Sequence, residues 1–351
     1  MDKLLVLRAG PPGRLDGVLA AALAGLPRED CQVKDDLPPA LSGRILLFSI
    51  SLGPTGLDED FCRLLRWIRS HPHCLEGSAA GVVIDGPGEL YTKQAAHLLV
   101  FSANGAGCAF PGRPLVEATG SLHNLDIQCR RRGQDHETVY RALVRDLAEG
   151  LLAFAPPRTA RPRILMLHAS DRRTSNTLAL GSRLQALLAD RFDWEELSLR
   201  NGAVHDCRGC SYTVCAHYAQ QNSCFYGGAI VEDVQPALLR CNALLLLCPN
   251  YNDSVSANIM AFINRLTGLQ LIHPLHGKYL YAVVVSGYSG SDLVAQQVLG
   301  ALCLNKAFLL PPRFCLLETA NDPGAALALP GIEQRLENFA RSMADTLLPR
   351  P

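Results

Sequence analysis

The strongest constraint on this chain is a recurring unit: a short run of consecutive apolar residues, a polar loop, then apolar residues at helical spacing. In the second half the runs are Arg163 to His168, a shorter one near Trp194 to Leu199, Ala243 to Cys248, Tyr279 to Ser286, and Phe314 to Glu318. Between and after them come Leu180, Leu184, Leu187 and Leu188, then Val231 to Arg240, then Val255, Ile259, Phe262, Ile263 and Leu266. Leu293 to Leu304 and a closing stretch, Ile332 to Leu348, complete the helical set. Runs of this length read as buried strands and the spaced sets as helices. Strands alternating with helices predict a doubly wound parallel sheet, because parallel neighbours need a long crossover.

The first half has the same rhythm. Leu4 to Leu7, Ile45 to Ile50 and Val82 to Ile84 are strand-like, each followed by a helical stretch. Leu4-Leu5-Val6-Leu7-Arg8-Ala9-Gly10 and Ile164-Leu165-Met166-Leu167-His168-Ala169-Ser170 occupy equivalent places. Between the halves, Pro156-Pro157-Arg158-Thr159-Ala160-Arg161-Pro162 can neither continue a helix nor join a central strand. The expected organisation is therefore an α/β domain over 1–155, a linker over 156–162 and a second α/β domain over 163–351. A length of 351 residues suits two domains of ordinary size.

Composition narrows the partners. Lys+Arg total 33 and Asp+Glu total 33, so no basic surplus exists to displace counterions from nucleic acid. No apolar run approaches the roughly 18 residues of a spanning helix, and the N-terminal apolar run is too short for a signal peptide. A cytoplasmic protein with no membrane partner is expected. The 13 cysteines are an odd number, which argues against a purely disulfide framework.

In an open parallel sheet, ligands sit beyond the C-terminal strand ends, and three loops of the second half are equipped there. His168 to Thr177 supplies Ser170, Arg172, Ser175, Asn176 and Thr177 at a helix start, a set suited to a phosphate. The plainer alternative is an ordinary Ser/Thr helix cap. Pro249-Asn250-Tyr251-Asn252 can present a flat ring to a planar ligand, or be a simple Pro/Asn turn. Ser286-Gly287-Tyr288-Ser289-Gly290 allows close backbone approach, as routine turns also do.

Taken together, Ser170-x-Arg172-x-x-Ser175-Asn176-Thr177, Pro249-x-Tyr251 and the loop from Ser286 resemble the NAD(P)H-dependent FMN reductases of the flavodoxin-like superfamily. The resemblance covers about 163–348. It implies the flavodoxin-like strand order 2-1-3-4-5 and bound FMN. Ser170, Arg172, Ser175, Asn176 and Thr177 would hold the FMN phosphate. Pro249, Asn250, Tyr251 and Asn252 would line the isoalloxazine, with Ser286, Gly287 and Tyr288 closing its other side. NAD(P)H is the implied electron donor, a small-molecule or protein redox partner the acceptor, and a homodimer or higher homo-oligomer the assembly.

Cys207, Cys210, Cys215 and Cys224 fall within one expected Cys-rich loop, 207–224, after the second strand of this half. Iron–sulfur flavoproteins of the same superfamily carry a four-Cys run in that place, which implies a [4Fe–4S] cluster. A Cys₄ zinc site and unligated thiols stay open as readings of the residues themselves. Cys241 and Cys248 read as core. In the first half, Ala9-Gly10-Pro11-Pro12-Gly13-Arg14 has two prolines and no hydroxyl, a poor phosphate cradle. That half reads as a degenerate flavodoxin-like domain used for packing, oligomerisation or covering the flavin. Its segments Asp85 to Lys93 and Phe110 to Ser121 read as turns and a capped helix, with a polar site as the alternative. The expected function is an FMN-dependent oxidoreductase; the alternative is a non-enzymatic electron-transfer or redox-sensing flavoprotein.

Overall fold

The computed structural model describes residues 3–34, 37–170, 175–202, 204–222 and 224–350, with Asn222 described by its backbone alone. The chain divides into two compact units, 1–155 and 156–351.

The first unit runs β1 (Leu4–Ala9), α1 (Arg14–Ala22), β2 (Arg28–Gln32), β3 (Ile45–Ser51), α2 (Glu59–Ser70), β4 (Ala79–Asp85), α3 (Thr92–Gly105), β5 (Leu115–Ala118), α4 (Asp126–Arg132) and α5 (His136–Leu152). Its sheet is parallel throughout, in the order β2-β1-β3-β4-β5. The three central strands are buried along nearly their whole length, as parallel strands covered on both faces must be. Two strands went unread in the sequence. Arg28-Glu29-Asp30-Cys31-Gln32 pairs on one side only and stays half-exposed, so it needs no apolar run. Leu115–Ala118 is a short strand at the other edge.

The second unit runs β6 (Arg163–His168), α6 (Asn176–Leu187), β7 (Asp193–Ser198), α7 (Tyr212–Asn222), α8 (Gln235–Arg240), β8 (Ala243–Pro249), α9 (Ala257–Ile272), β9 (Tyr279–Ser286), α10 (Ser291–Leu299), β10 (Cys315–Thr319) and α11 (Ile332–Leu347). The sheet order is β7-β6-β8-β9-β10, which in order of appearance is 2-1-3-4-5. The doubly wound parallel architecture expected of the sequence is therefore present, and in both units. Every residue of β9 is buried, and β6 and β8 nearly so. Side chains such as Leu246, Val283 and Phe262 each contribute roughly 1.5–3 kcal/mol by leaving water.

Two details correct the sequence reading. The segment 207–224 is not one loop, because α7 occupies its middle and carries Cys215. The helices expected over Val231 to Arg240 and Leu293 to Leu304 each contain a π-helical turn, Ile230–Val234 and Gly300–Leu304. Among the described residues, no helix is long and apolar enough to cross a membrane.

Candidate functional site

The order 2-1-3-4-5 reverses direction between β6 and β8, and the crevice at that switch is where doubly wound sheets bind ligands. A cleft of about 430 Å³ opens there, within the usual range of ligand cavities. Ser170, Ser175, Asn176 and Thr177 line it on one side, and Pro249, Asn250, Tyr251 and Gly287 on another.

On the β6 side, three hydroxyls form a chain at the start of α6. Ser170 Oγ lies 3.0 Å from Ser175 Oγ, which lies 3.1 Å from Thr177 Oγ1. Ser175 is the N-cap of α6 and accepts from the Leu178 amide at 3.4 Å. The remaining free N–H groups of that turn, with the helix dipole behind them, favour an anion. Beneath the hydroxyls lies buried His168. Its Nδ1 accepts from the Ser170 amide at 3.2 Å, which leaves the proton on Nε2, 3.2 Å from the Glu196 carboxylate. The imidazole thus fixes the first bend of the loop. Arg172, expected beside these hydroxyls, lies outside the described residues.

Asn176 behaves differently from its neighbours. Its amide nitrogen donates to the carbonyls of Ala320 and Asp322, and its oxygen accepts from the Ala326 amide. The side chain is committed to pinning the loop after β10, so Asn176 offers the cleft its backbone rather than a free amide. Thr177 is almost fully buried.

On the β8 side, Tyr251 and Ser254 exchange backbone hydrogen bonds at 3.0 and 3.2 Å. This closes a tight turn with Asn252 and Asp253 in the left-handed region, at φ 53° and 59°. The turn leaves Tyr251 about half exposed at the cleft. Asn250 ties this loop to the next one, since its Nδ2 donates to Ser286 Oγ and to the Ser289 carbonyl, each at 3.0 Å. Ser286 is fully buried as the last residue of β9, and Tyr288 is largely exposed. Asn252, Ser286 and Tyr288 do not line the cleft, so that part of the expected ring-binding set is not brought together. The cleft also has walls that sequence reasoning missed: Asn201 after β7, and Ala320, Asn321 and Pro323 after β10. No local motif marks them; they arrive through strand order alone.

The four clustered cysteines follow β7 in the chain. Cys207 and Cys210 are exposed, while Cys215 and Cys224 are half-buried. Burial and the charges of Cys224, Cys207 and Cys210 push the Cys215 thiol up, so all four sulfurs lie within electrostatic reach. Among the described residues, no three of these sulfurs lie within 4.8 Å of one another. A Zn–S bond of about 2.3 Å would bring tetrahedral sulfurs to about 4 Å apart. The thiols are therefore grouped, but not drawn together as a mononuclear zinc centre requires. Cys241 and Cys248 are core, each with its thiol pushed up by burial, Cys248 to about 12.

The equivalent strand ends of the first unit are polar but self-satisfied. Arg14 grips both Asp85 oxygens at 2.9 and 3.0 Å and donates to the Thr119 and Gly120 carbonyls. Tyr140 also donates to Asp85, and Lys93 and Thr92 converge on Glu117. Gly10 sits at φ +100°, and a Cβ there would come within 1.8 Å of the Ser51 carbonyl oxygen. The loop after β1 is folded flat onto the end of β3.

Residues 162–322 match the family described as NADPH-dependent FMN reductase. Solved structures resemble the chain at low identity. An NAD(P)H:quinone oxidoreductase from Methanothermobacter marburgensis is 12% identical, over 52% of this chain and 96% of that one, with a TM-score of 0.39. An FMN-dependent NADH-azoreductase from Bacillus anthracis, solved in complex with FMN, is 12% identical over 52% of this chain and 99% of that one, with a TM-score of 0.36. An NADH:FMN oxidoreductase in its apo form is 13% identical over 54% and 92%, with a TM-score of 0.38. Scores of this size carry no argument about activity. No curated protein sequence matches the chain.

Proposed function

We propose, from the match of residues 162–322 to the family described as NADPH-dependent FMN reductase, that the protein is an FMN-dependent oxidoreductase that takes electrons from NAD(P)H. The observation that carries the reading is the cleft at the β6/β8 switch, where a hydroxyl chain at a helix start faces an exposed tyrosine across about 430 Å³.

The donor set suits FMN at both ends. Ser170, Ser175 and Thr177, with the first amides of α6, would hold the phosphate, and Arg172 is the proposed cationic partner of the same loop. Pro249, Asn250 and Tyr251 would line the ring on one side and Gly287 on the other, while Asn201 and Asn321 offer polar groups to its substituents. Asn252, Ser286 and Tyr288 act from outside: Asn252 shapes the turn, Ser286 anchors Asn250, and Tyr288 stands free at the rim. Bound flavin supplies the hydride acceptance and electron delivery, while the residues around it bind and orient. His168 contributes by holding the Ser170 amide, which fixes Ser170 at the end of β6.

Cys207, Cys210, Cys215 and Cys224 are the proposed holders of an iron–sulfur cluster, which would supply an electron-accepting centre in the same unit as the flavin. Their grouping after β7 supports this reading.

The test is an anaerobic preparation of the full chain, loaded with FMN, assayed for iron and then titrated with NADPH and NADH. Loss of the flavin's visible absorbance on nicotinamide addition, followed by steady turnover with an added acceptor, is the expected outcome. Flavin that only dithionite reduces would instead support an electron carrier without nicotinamide activity. About four irons per chain, falling sharply on Cys210→Ser while FMN stays bound, is the expected metal result. Stoichiometric zinc, or no metal, would remove the cluster from the proposal and leave the flavin reading intact.

A further inference from the structure

We propose that His123, Asp126 and His136 form a divalent-cation site of the zinc class on the first unit, with open positions for water. Each residue offers a donor atom, and the three donors all lie within 4.8 Å of one another. The Asp126 carboxylate sits between the two imidazoles. One oxygen is 2.7 Å from His136 Nε2 and the other is 3.7 Å from His123 Nδ1. The rings meet edge to face, with centroids 6.4 Å apart and planes at 80°. The rings do not stack, and one nitrogen of each lies within 4.8 Å of the other and of the carboxylate.

The chemistry of the set is selective. Zinc takes imidazole nitrogen and carboxylate oxygen at about 2.0–2.2 Å, which puts neighbouring donors about 3–4 Å apart. The carboxylate lies 2.7 and 3.7 Å from the two nitrogens and all three donors stay within 4.8 Å, so small side-chain rotations close the site. Two imidazoles with one carboxylate suit zinc, iron or nickel better than magnesium or calcium, which prefer oxygen throughout. Three protein ligands leave room for water, and the exposure of His123 keeps that side open.

The backbone holds the three donors in place independently of any ion. His123 opens a 3₁₀ turn, and its amide donates to Ser121 Oγ at 3.2 Å. Leu122, in the left-handed region, directs the chain into that turn. Asp126 begins α4, and His136 begins α5 behind an Asp135 cap that accepts from the Thr138 amide at 3.0 Å. A bound cation would thus clip two helix starts and the turn before them. Charge favours it as well. Asp126 brings the one carboxylate of the set, facing both imidazoles. Glu89, which accepts from the Ser121 amide, adds a second negative charge within reach of His123. The simplest alternative is a plain His–Asp hydrogen bond; a cation would take the place of the proton between His136 Nε2 and Asp126.

The experiment is calorimetric titration with Zn²⁺ of the full chain carrying Ser at Cys207, Cys210, Cys215 and Cys224, which removes the competing thiols. One zinc per chain is expected. Adding His123→Ala and His136→Ala should weaken binding at least about 100-fold, more than the loss of a mere supporting partner, with the circular dichroism unchanged. Asp126→Asn, which keeps the shape and removes the charge, should also weaken it. Absence of saturable binding, or binding unaltered by the double His change, would overturn the site. Crystals soaked in Zn²⁺ give an independent reading: anomalous density between these three side chains supports the site, and its absence there contradicts it.

Discussion

Alanine at both Ser170 and Ser175 is expected to weaken FMN binding at least about 100-fold while changing riboflavin binding far less. Ser170 Oγ and Ser175 Oγ lie 3.0 Å apart at the start of α6, so one phosphate can accept from both. A hydrogen bond to a charged group contributes roughly 1.5–3 kcal/mol, and each tenfold in affinity is about 1.4 kcal/mol. Two such bonds therefore give about 3 kcal/mol or more, hence the bound stated. Ser175 also caps α6, and loss of a cap costs about 1 kcal/mol in the protein itself. That part falls on both ligands alike, whereas the phosphate part falls on FMN alone. Fluorescence titration with each ligand separates them; equal losses would mean that the loop had simply collapsed.

Gly290→Ala is expected to destabilise the second unit by at least about 2 kcal/mol and to weaken FMN by tenfold or more. Gly290 sits at φ +85°, where a residue with a Cβ pays roughly 1–2 kcal/mol. The added carbon would also stand 2.0 Å from Asp253 Oδ1 and 3.0 Å from Asn250 Nδ2, so both must move. Those two side chains fasten the loops after β8 and β9. Asn250 Oδ1 accepts from the Asp253 amide at 2.7 Å, and its Nδ2 reaches across to Ser286 and Ser289. Shifting them loosens the wall that carries Tyr251. Gly277→Ala is the control, since nothing lies within 4 Å of its missing Cβ and its backbone is not left-handed. A urea midpoint that falls for Gly290→Ala and holds for Gly277→Ala is the expected pair of results; similar midpoints would remove the steric argument.

The parts of this protein that were legible in its sequence are those where one residue type must fill a strand or a helix face. β6, β8 and β9 are buried on both sides, so their apolar runs have no alternative reading. The edge strand β2 escaped because half its surface meets water, and Arg28, Glu29 and Asp30 satisfy it there through charge pairs. α7 escaped because Tyr212–Asn222 lies largely exposed and carries no clear apolar stripe. In the site, Ser170, Ser175 and Tyr251 were readable as local chemistry. The role of Asn176 was not, because its partners, Ala320, Asp322 and Ala326, lie about 150 residues away and meet it only through the sheet order. The same holds for the cleft-lining Asn201 and Asn321, and for His123 and His136, whose meeting depends on the turn between α4 and α5.

The central claim is that one FMN binds in the cleft at the β6/β8 switch, and the most direct measurement is an FMN titration of the full chain followed by crystallography of the saturated complex. Saturation at one FMN per chain is predicted, with phosphate density at Ser170, Ser175 and the α6 amides and the ring beside Tyr251. Absence of saturable FMN binding, or flavin density at the strand ends of the first unit instead, would contradict it.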